Sequence, residues 1–295
     1  MISDPYLGKY TTCVSARSTD KEILEKAQDG GIATTLMVYA LEQGIIDGAI
    51  VTGKGNRPWL PRPLVAMNRE DLLNAQGTIY NISPQISWLK EVTRSFGFDK
   101  VGVTGVCCQM QAVRKAQLYP ICMRDIPGKI ALTVGLFCMV NFPYKSTQML
   151  VEDHANQNLS SVKKMKIGKG KFWVYTNRGN VVTLPVDVTH KYEQPGCHVC
   201  LDYVSNLGDI STGSVGSPDG WSTVFIRTKV GNKVWSKAVA EGMIETKPIE
   251  EVKPGLELVL KLAKEKIDKN RKRIEERKNF GVNKGLRDYT LNFPF

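Results

Sequence analysis

Hydrophobic positions along the chain switch repeatedly between the period of a helix and that of a strand. Thr19-Asp20-Lys21-Glu22 reads as a capping box, and Ile23, Leu24 and Ala27 follow at helical spacing. That helix meets Gln28-Asp29-Gly30-Gly31, after which a second apolar helix runs from Ile32 to Leu41 and ends at Gly44. Two adjacent glycines opening an apolar helix leave backbone N–H groups free at its positive end, which suits a phosphate or a flavin edge; a plain break between two core helices reads the same way. Asp47–Gly53 predicts a short buried strand, then a loop rich in glycine and proline through Pro63, with Leu64–Met67 as the strand's neighbour. A helical turn over Asp71–Ala75 leads into Gln76–Pro84, a small, polar run unsuited to a core and therefore a candidate ligand loop.

The middle of the chain holds two buried strands of one kind. Lys100–Val106 delivers Cys107-Cys108-Gln109 at its carboxyl end, with a helix to about Leu118, and Ile130–Phe137 delivers Cys138. Strand, helix, strand in that order predicts two parallel strands with a right-handed crossover. Their carboxyl ends then share the sheet edge where open α/β sheets bind ligands, so Cys108 and Cys138 become neighbours. Phe172–Tyr175, a turn at Asn177–Asn180 and Val181–Leu184 predict a hairpin, entered from the basic run Lys163–Lys171. Ser222–Thr228 reads as a further strand and Asn232–Glu241 as a helix. Pro254 and Gly255 open a last helix with Leu256, Val259, Leu260, Ala263 and Ile267 on one stripe. The fold class is mixed α/β: a central, partly parallel sheet with flanking helices, a β-hairpin region and a long C-terminal helix. A region 1–158 and a region 159–295 are expected to form one compact unit.

Composition adds limits. At 295 residues, with 42% hydrophobic and 23% charged residues, the chain can bury a full core. No apolar run is long enough to cross a bilayer, and the N-terminus lacks a basic region followed by an apolar core. A cytoplasmic protein is expected, and in that compartment seven cysteines are more naturally free thiols or metal ligands than disulfides. The net charge of +11 implies an acidic partner: nucleic acid, an anionic cofactor or an acidic protein surface. The excess gathers in Lys163–Lys171 and from Lys261 to Lys278, although such runs are commonly solvated faces. No nucleic-acid-binding motif appears, so a basic nucleic-acid-binding protein is a rival reading without a motif behind it.

Chemistry enters with Cys197-His198-Val199-Cys200. Two thiols three positions apart can reach one metal centre, but the pair also fits a redox dithiol or two core cysteines. Cys108 and Cys138 complete a set of four. Structural zinc sites usually draw on two close pairs, whereas an iron–sulfur cluster tolerates one pair joined to two isolated thiols; a zinc scaffold is the other rival. Cys13, Cys107 and Cys122 lack comparable partners. Cys107 competes with Cys108, and strand alternation predicts that one of the two points away from the centre.

The sequence resembles the beta subunit of coenzyme F420-reducing hydrogenase over nearly its whole length. The likeness is densest in Ala27–Ile32, in Ile167–Thr176 and in Ser211–Thr223. It implies a flavoprotein with one FAD and one [4Fe–4S] cluster that exchanges electrons with the deazaflavin coenzyme F420 inside a hetero-oligomer. The implied partners are a cluster-carrying small subunit and a nickel–iron large subunit; related electron-input subunits serve formate dehydrogenase or membrane-bound oxidoreductases. The resemblance favours Cys108 over Cys107 beside Cys138, Cys197 and Cys200. It gives His190 and His198 no ligand role. For FAD the candidates are Gly30 and Gly31 with the loop residues Gly77, Thr78, Tyr80, Ser83 and Pro84. Lys166, Lys169 and Lys171 suit an anion, either the FAD pyrophosphate or the acidic tail of the coenzyme. The G-x-G-x-x-G fingerprint is missing from the N-terminal part, so a conventional Rossmann unit is not expected.

Overall fold

The computed structural model describes residues 1–120 and 126–279; Cys122 lies outside the described residues. Strands β1 (Ile2–Asp4) and β2 (Gly8–Tyr10) form a small N-terminal hairpin, and β3 (Thr12–Ser18) enters the main sheet. Helices α1 (Lys21–Lys26) and α2 (Ile32–Glu42) follow, then the antiparallel pair β4 (Gly48–Lys54) and β5 (Pro61–Ala66). Next come α3 (Arg69–Asn74), α4 (Leu89–Arg94), β6 (Val101–Val106), α5 (Cys107–Leu118), β7 (Ile130–Leu136) and α6 (Tyr144–Met149). A separate three-stranded sheet holds β8 (Val162–Gly168), β9 (Lys171–Thr176) and β10 (Val181–Pro185). The chain then returns to the main sheet with β11 (Ile210–Gly213), β12 (Ser222–Ile226), helix α7 (Lys229–Ala240) and β13 (Ile244–Pro248), before the long α8 (Gly255–Asn279).

The main sheet runs β13-β3-β12-β11-β7-β6-β4-β5. The pairs β4/β6, β6/β7 and β7/β11 are parallel, as the strand–helix–strand pattern predicts, and the flanking pairs are antiparallel. Because β3 is antiparallel to β12, and β12 to β11, β3 runs in the same sense as the parallel core. The carboxyl ends of β3, β6, β7 and β11 therefore share one edge, where the loops after them converge. The expected mixed α/β class is borne out.

Alternation along each strand divides the core. Ala49 and Val51 join the cluster under α2, α3 and α7, while Ile50 between them joins the one under α4 and α5. On β12, Val224 and Ile226 face the first cluster and Phe225 faces the N-terminal hairpin and α8. Burying a side chain such as the fully buried Phe225 is worth about 1.5–3 kcal/mol. The small sheet has its own core, in which Met165, Phe172 and Val174 pack on Phe142, Leu150 and Val151.

Two expectations change. Asp20, not Thr19, caps α1: its carboxylate accepts from the N–H groups of Glu22 (2.9 Å) and Ile23 (3.2 Å), while the Thr19 hydroxyl donates to the Gly242 carbonyl at 2.8 Å. The Lys163–Lys171 run does not merely lead into the hairpin. It is β8 plus a two-residue turn in which Lys169 (φ 47°) and Gly170 (φ 72°) both take left-handed backbone, the geometry that suits strand twist. β11 lies buried between β7 and β12, where Ser211 Oγ accepts from Arg227 Nε at 2.8 Å and Thr212 Oγ1 is left without a hydrogen-bond partner.

Candidate active site: thiols, glycines and lysines at one sheet edge

Cys107 and Cys108 form the first turn of α5 rather than the end of β6, so helical geometry, not strand alternation, sets their directions. Cys107 is 1% exposed and Cys108 is exposed. Cys138 follows β7, its N–H donating to the Tyr203 carbonyl at 2.9 Å. Cys197 and Cys200 sit on a single-turn knuckle over Pro195–Val199, in which the Cys200 N–H donates to the Cys197 carbonyl at 3.3 Å. The five thiols lie near enough to influence one another: Cys138 senses the charges of Cys108, Cys197 and Cys200, Cys108 senses Cys197 and Cys200, and Cys107 and Cys200 interact. Cys107 therefore does not point away from the centre, contrary to the alternation argument. Among the described residues, no three His, Cys, Asp or Glu side chains converge closely enough to hold a single ion.

The electrostatics are uneven. Burial pushes the Cys108 thiol up to about 11 and Cys138 to about 12. Cys200 goes the other way, held down by its neighbour Cys107, against burial and with help from Lys266. Asp202, fully buried, is pushed up to about 6 by burial and then by the charge of Cys200. Burial works against a charged Lys266, but Cys200, Cys107, Cys138 and Asp202 around it outweigh burial and keep it protonated. The backbone N–H of Asn141 donates to Cys197 Sγ at 3.3 Å. His190 and His198 both bond Glu193, at 2.7 and 2.8 Å.

The Gln76–Pro84 loop reaches from the thiols to the small sheet. The Asn141 side-chain amide donates to the carbonyls of Tyr80 (3.0 Å) and Asn81 (3.3 Å), and Gln109, beside Cys108, donates to the Ser83 carbonyl at 2.8 Å. At its other side the Tyr80 hydroxyl accepts from the Ile167 N–H of β8 at 3.1 Å. Gln76 Oε1, Asn81 Oδ1 and Ser83 Oγ are buried without a hydrogen-bond partner, a state that protein interiors avoid unless something else supplies one. Gly77 takes a φ of 96° with open space around it, Thr78 is half-buried, and Pro84 starts the short helical turn Gln85–Trp88.

Gly30 and Gly31 lie at the same edge, beside the end of β3 and the start of β12. A Cβ on Gly30 would stand 2.5 Å from the Ala16 carbonyl oxygen and 2.8 Å from the Ser222 nitrogen, so only glycine fits. Gly31, at φ 72°, opens α2 without a side-chain cap, which leaves the first-turn N–H groups without that partner. On β8, Lys164 and Lys166 share the face opposite Met165. Lys164 donates to the Gln28 carbonyl at 3.0 Å, and Lys166 pairs with Asp29 (3.6 Å) and Asp219 (3.1 Å). Lys169, at the turn, pairs with Asp219 at 3.6 Å, and Lys171 is exposed. Sequence reasoning missed Asp29 and Asp219, carboxylates that hold these lysines in place; their signal was only their position inside the two glycine-bearing loops. It also missed Lys266 and Asn270.

Comparison with known proteins decides the family. The family described as coenzyme F420 hydrogenase/dehydrogenase, beta subunit, matches with its N-terminal part over residues 13–90 and its C-terminal part over residues 98–252. The chain belongs to this family. The coenzyme F420 hydrogenase subunit beta of Methanosarcina barkeri is 81% identical over 98% of this chain and 99% of its own. That of Methanothermobacter thermautotrophicus is 52% identical over 94% and 98%. A chain in a solved structure of the F420-reducing [NiFe] hydrogenase complex from Methanosarcina barkeri superposes with a TM-score of 0.95 at 81% identity, covering 98% of this chain and 99% of that one. Membership of the F420 hydrogenase/dehydrogenase family bears out the resemblance read in the sequence and makes the chain an oxidoreductase component. No helix among the described residues is long and apolar enough to cross a membrane.

Proposed function

We propose that the chain passes electrons between a [4Fe–4S] cluster and coenzyme F420 through a bound FAD, as the electron-exchange subunit of a cytoplasmic hydrogenase. The observation that carries this reading is the Gln76–Pro84 loop, which bonds residues beside two cysteines on one side and β8 on the other. Cys108, Cys138, Cys197 and Cys200 would hold the cluster. Cys138 senses the other three, and four cysteine thiolates are the usual ligand set of a [4Fe–4S] cluster. Gly30, Gly31 and the start of α2 offer backbone donors and a cradle for the FAD pyrophosphate. Gly77, Thr78, Tyr80, Ser83 and Pro84 line the loop between that cradle and the thiols. Lys166, half-buried beside Asp29, suits the pyrophosphate, while Lys169 and Lys171 at the outer turn suit the acidic tail of the coenzyme.

A bound flavin supplies two-electron exchange with the deazaflavin and one-electron exchange with the cluster. The chain's own task is to bind, orient and shield these groups, and hydride transfer asks nothing of His190 or His198. The named partners are a cluster-carrying small subunit and a nickel–iron large subunit; no nucleic acid is involved. The 81% identity to a hydrogenase subunit favours a hydrogenase over the dehydrogenases that the family also covers.

The test is anaerobic reduction of coenzyme F420 by the purified protein with an artificial electron donor, together with its visible spectrum. Flavin bands plus a broad cluster shoulder are expected, and Cys197→Ser should remove the shoulder. A colourless, zinc-binding protein would overturn the reading.

A further inference from the structure

We propose that Lys266 on α8 is a positioning residue that raises the reduction potential of the thiolate-bound centre, by fixing one positive charge between the backbone segments that carry its ligands. The inference rests on the reading of Cys108, Cys138, Cys197 and Cys200 as cluster ligands. The side chain is 6% exposed, and its ammonium donates to two carbonyl oxygens, those of Cys138 and Asp202, at 2.6 Å each. One carbonyl belongs to a ligand cysteine, and the other lies two residues beyond Cys200. One helical turn further along α8, the Asn270 amide donates to the carbonyls of Cys197 (2.9 Å) and Cys200 (2.8 Å). The two residues thus clasp three of the four ligand-bearing positions from a single helix face.

The pair separates two roles that usually coincide. Asn270 ties the knuckle without charge, whereas Lys266 ties its segments with one. A lysine is a costly way to tie two carbonyls in the interior, since the same bonds could come from an amide and the ammonium must be desolvated. What the ammonium adds is a charge acting at short range where screening is weak. One-electron reduction makes the centre one unit more negative, so a fixed neighbouring cation stabilises the reduced state more than the oxidised one. The groups facing Lys266 are the thiols of Cys107, Cys138 and Cys200 and the carboxyl of Asp202, with Arg227 beyond it.

The experiment is an EPR-monitored redox titration of the assembled protein in four forms: wild type, Lys266→Gln, Lys266→Arg and Asn270→Ala. Lys266→Gln should favour the oxidised centre at least tenfold, a shift of about 59 mV to lower potential for a one-electron couple. Lys266→Arg should stay close to wild type, and Asn270→Ala should keep the potential while losing iron faster to a chelator. A full signal at the wild-type potential in Lys266→Gln overturns the proposal. If Lys266→Gln fails to assemble a centre while Lys266→Arg succeeds, the charge serves assembly instead, and the proposal is equally overturned. Absence of an iron–sulfur signal in the wild type sinks the cluster assignment itself, a separate result.

Discussion

Cys107 and Cys108 are adjacent in sequence and opposite in circumstance. Cys107 is enclosed between Cys200 and the Leu136 carbonyl, whereas Cys108 is exposed at the start of α5 and senses Cys197 and Cys200. Cys108→Ser is therefore expected to cut iron from about four atoms per chain to below one and to bleach the cluster shoulder, while Cys107→Ser keeps both. An iron assay with a visible spectrum checks this, and the reverse pattern would move the ligand to Cys107. A second pair of substitutions separates the lysines. Lys166→Met should lower flavin content per chain, and Lys169→Ala with Lys171→Ala should raise KM for coenzyme F420 several-fold at unchanged flavin content. Steady-state kinetics beside flavin extraction reads both effects. The four thiols were legible because residue type and spacing carry the chemistry. The roles of Lys266 and Asn270 were not, because on a basic amphipathic helix a buried lysine has the same spelling as a solvated one.

At the scale of elements, α5 matters because it presents Cys107 and Cys108. It is pinned by Arg114, whose guanidinium donates to the Leu207 carbonyl (2.8 Å) and to Asp209 Oδ1 (2.9 Å). Asp209 in turn accepts from the N–H (2.8 Å) and hydroxyl (2.6 Å) of Thr133 on β7 and from the Thr228 hydroxyl (2.7 Å) before α7. One buried carboxylate therefore joins α5, β7 and the entry to α7. Asp209→Ala is expected to cost about 3 kcal/mol, the lower end for breaking one side of a buried pair, since Arg114 keeps its bond to Leu207. Urea unfolding should show a lower midpoint at an unchanged slope. The strands around this junction show what a sequence pattern can carry. β6 and β7 were readable as continuous apolar runs ending in cysteine. β11 was not, because a strand packed between two others can be built from Ile-Ser-Thr-Gly, with Arg227 satisfying the Ser211 hydroxyl. β8 was hidden by its lysines, although Met165 and Ile167 alternate with them on the core side.

Seen as a whole, the molecule gathers its candidate site from parts that the chain order keeps apart. The thiols come from α5, from the segment after β7 and from the Pro195–Val199 knuckle, and α8 closes over the last two through Lys266 and Asn270. The knuckle carries no buried residue of its own. A centre bonded to all of them would act as a ligand of the folded state alone, adding stability that grows with the logarithm of the ratio of its concentration to its dissociation constant. At a thousandfold excess the gain is about 4 kcal/mol, or roughly 8 °C in unfolding temperature at about 2 °C per kcal/mol for a chain of this size. Removing iron anaerobically with a chelator should lower the transition by that order. The loss should be local before it is global: limited proteolysis of the iron-depleted protein is expected to cut first within Gln194–Asp202, while the main sheet, held by its own core, persists. Equal protease resistance with and without iron would mean that the knuckle is fixed by the protein's own contacts, those of Asn270, Glu193 and Asn141 among them. The centre would then be a passenger rather than a structural member.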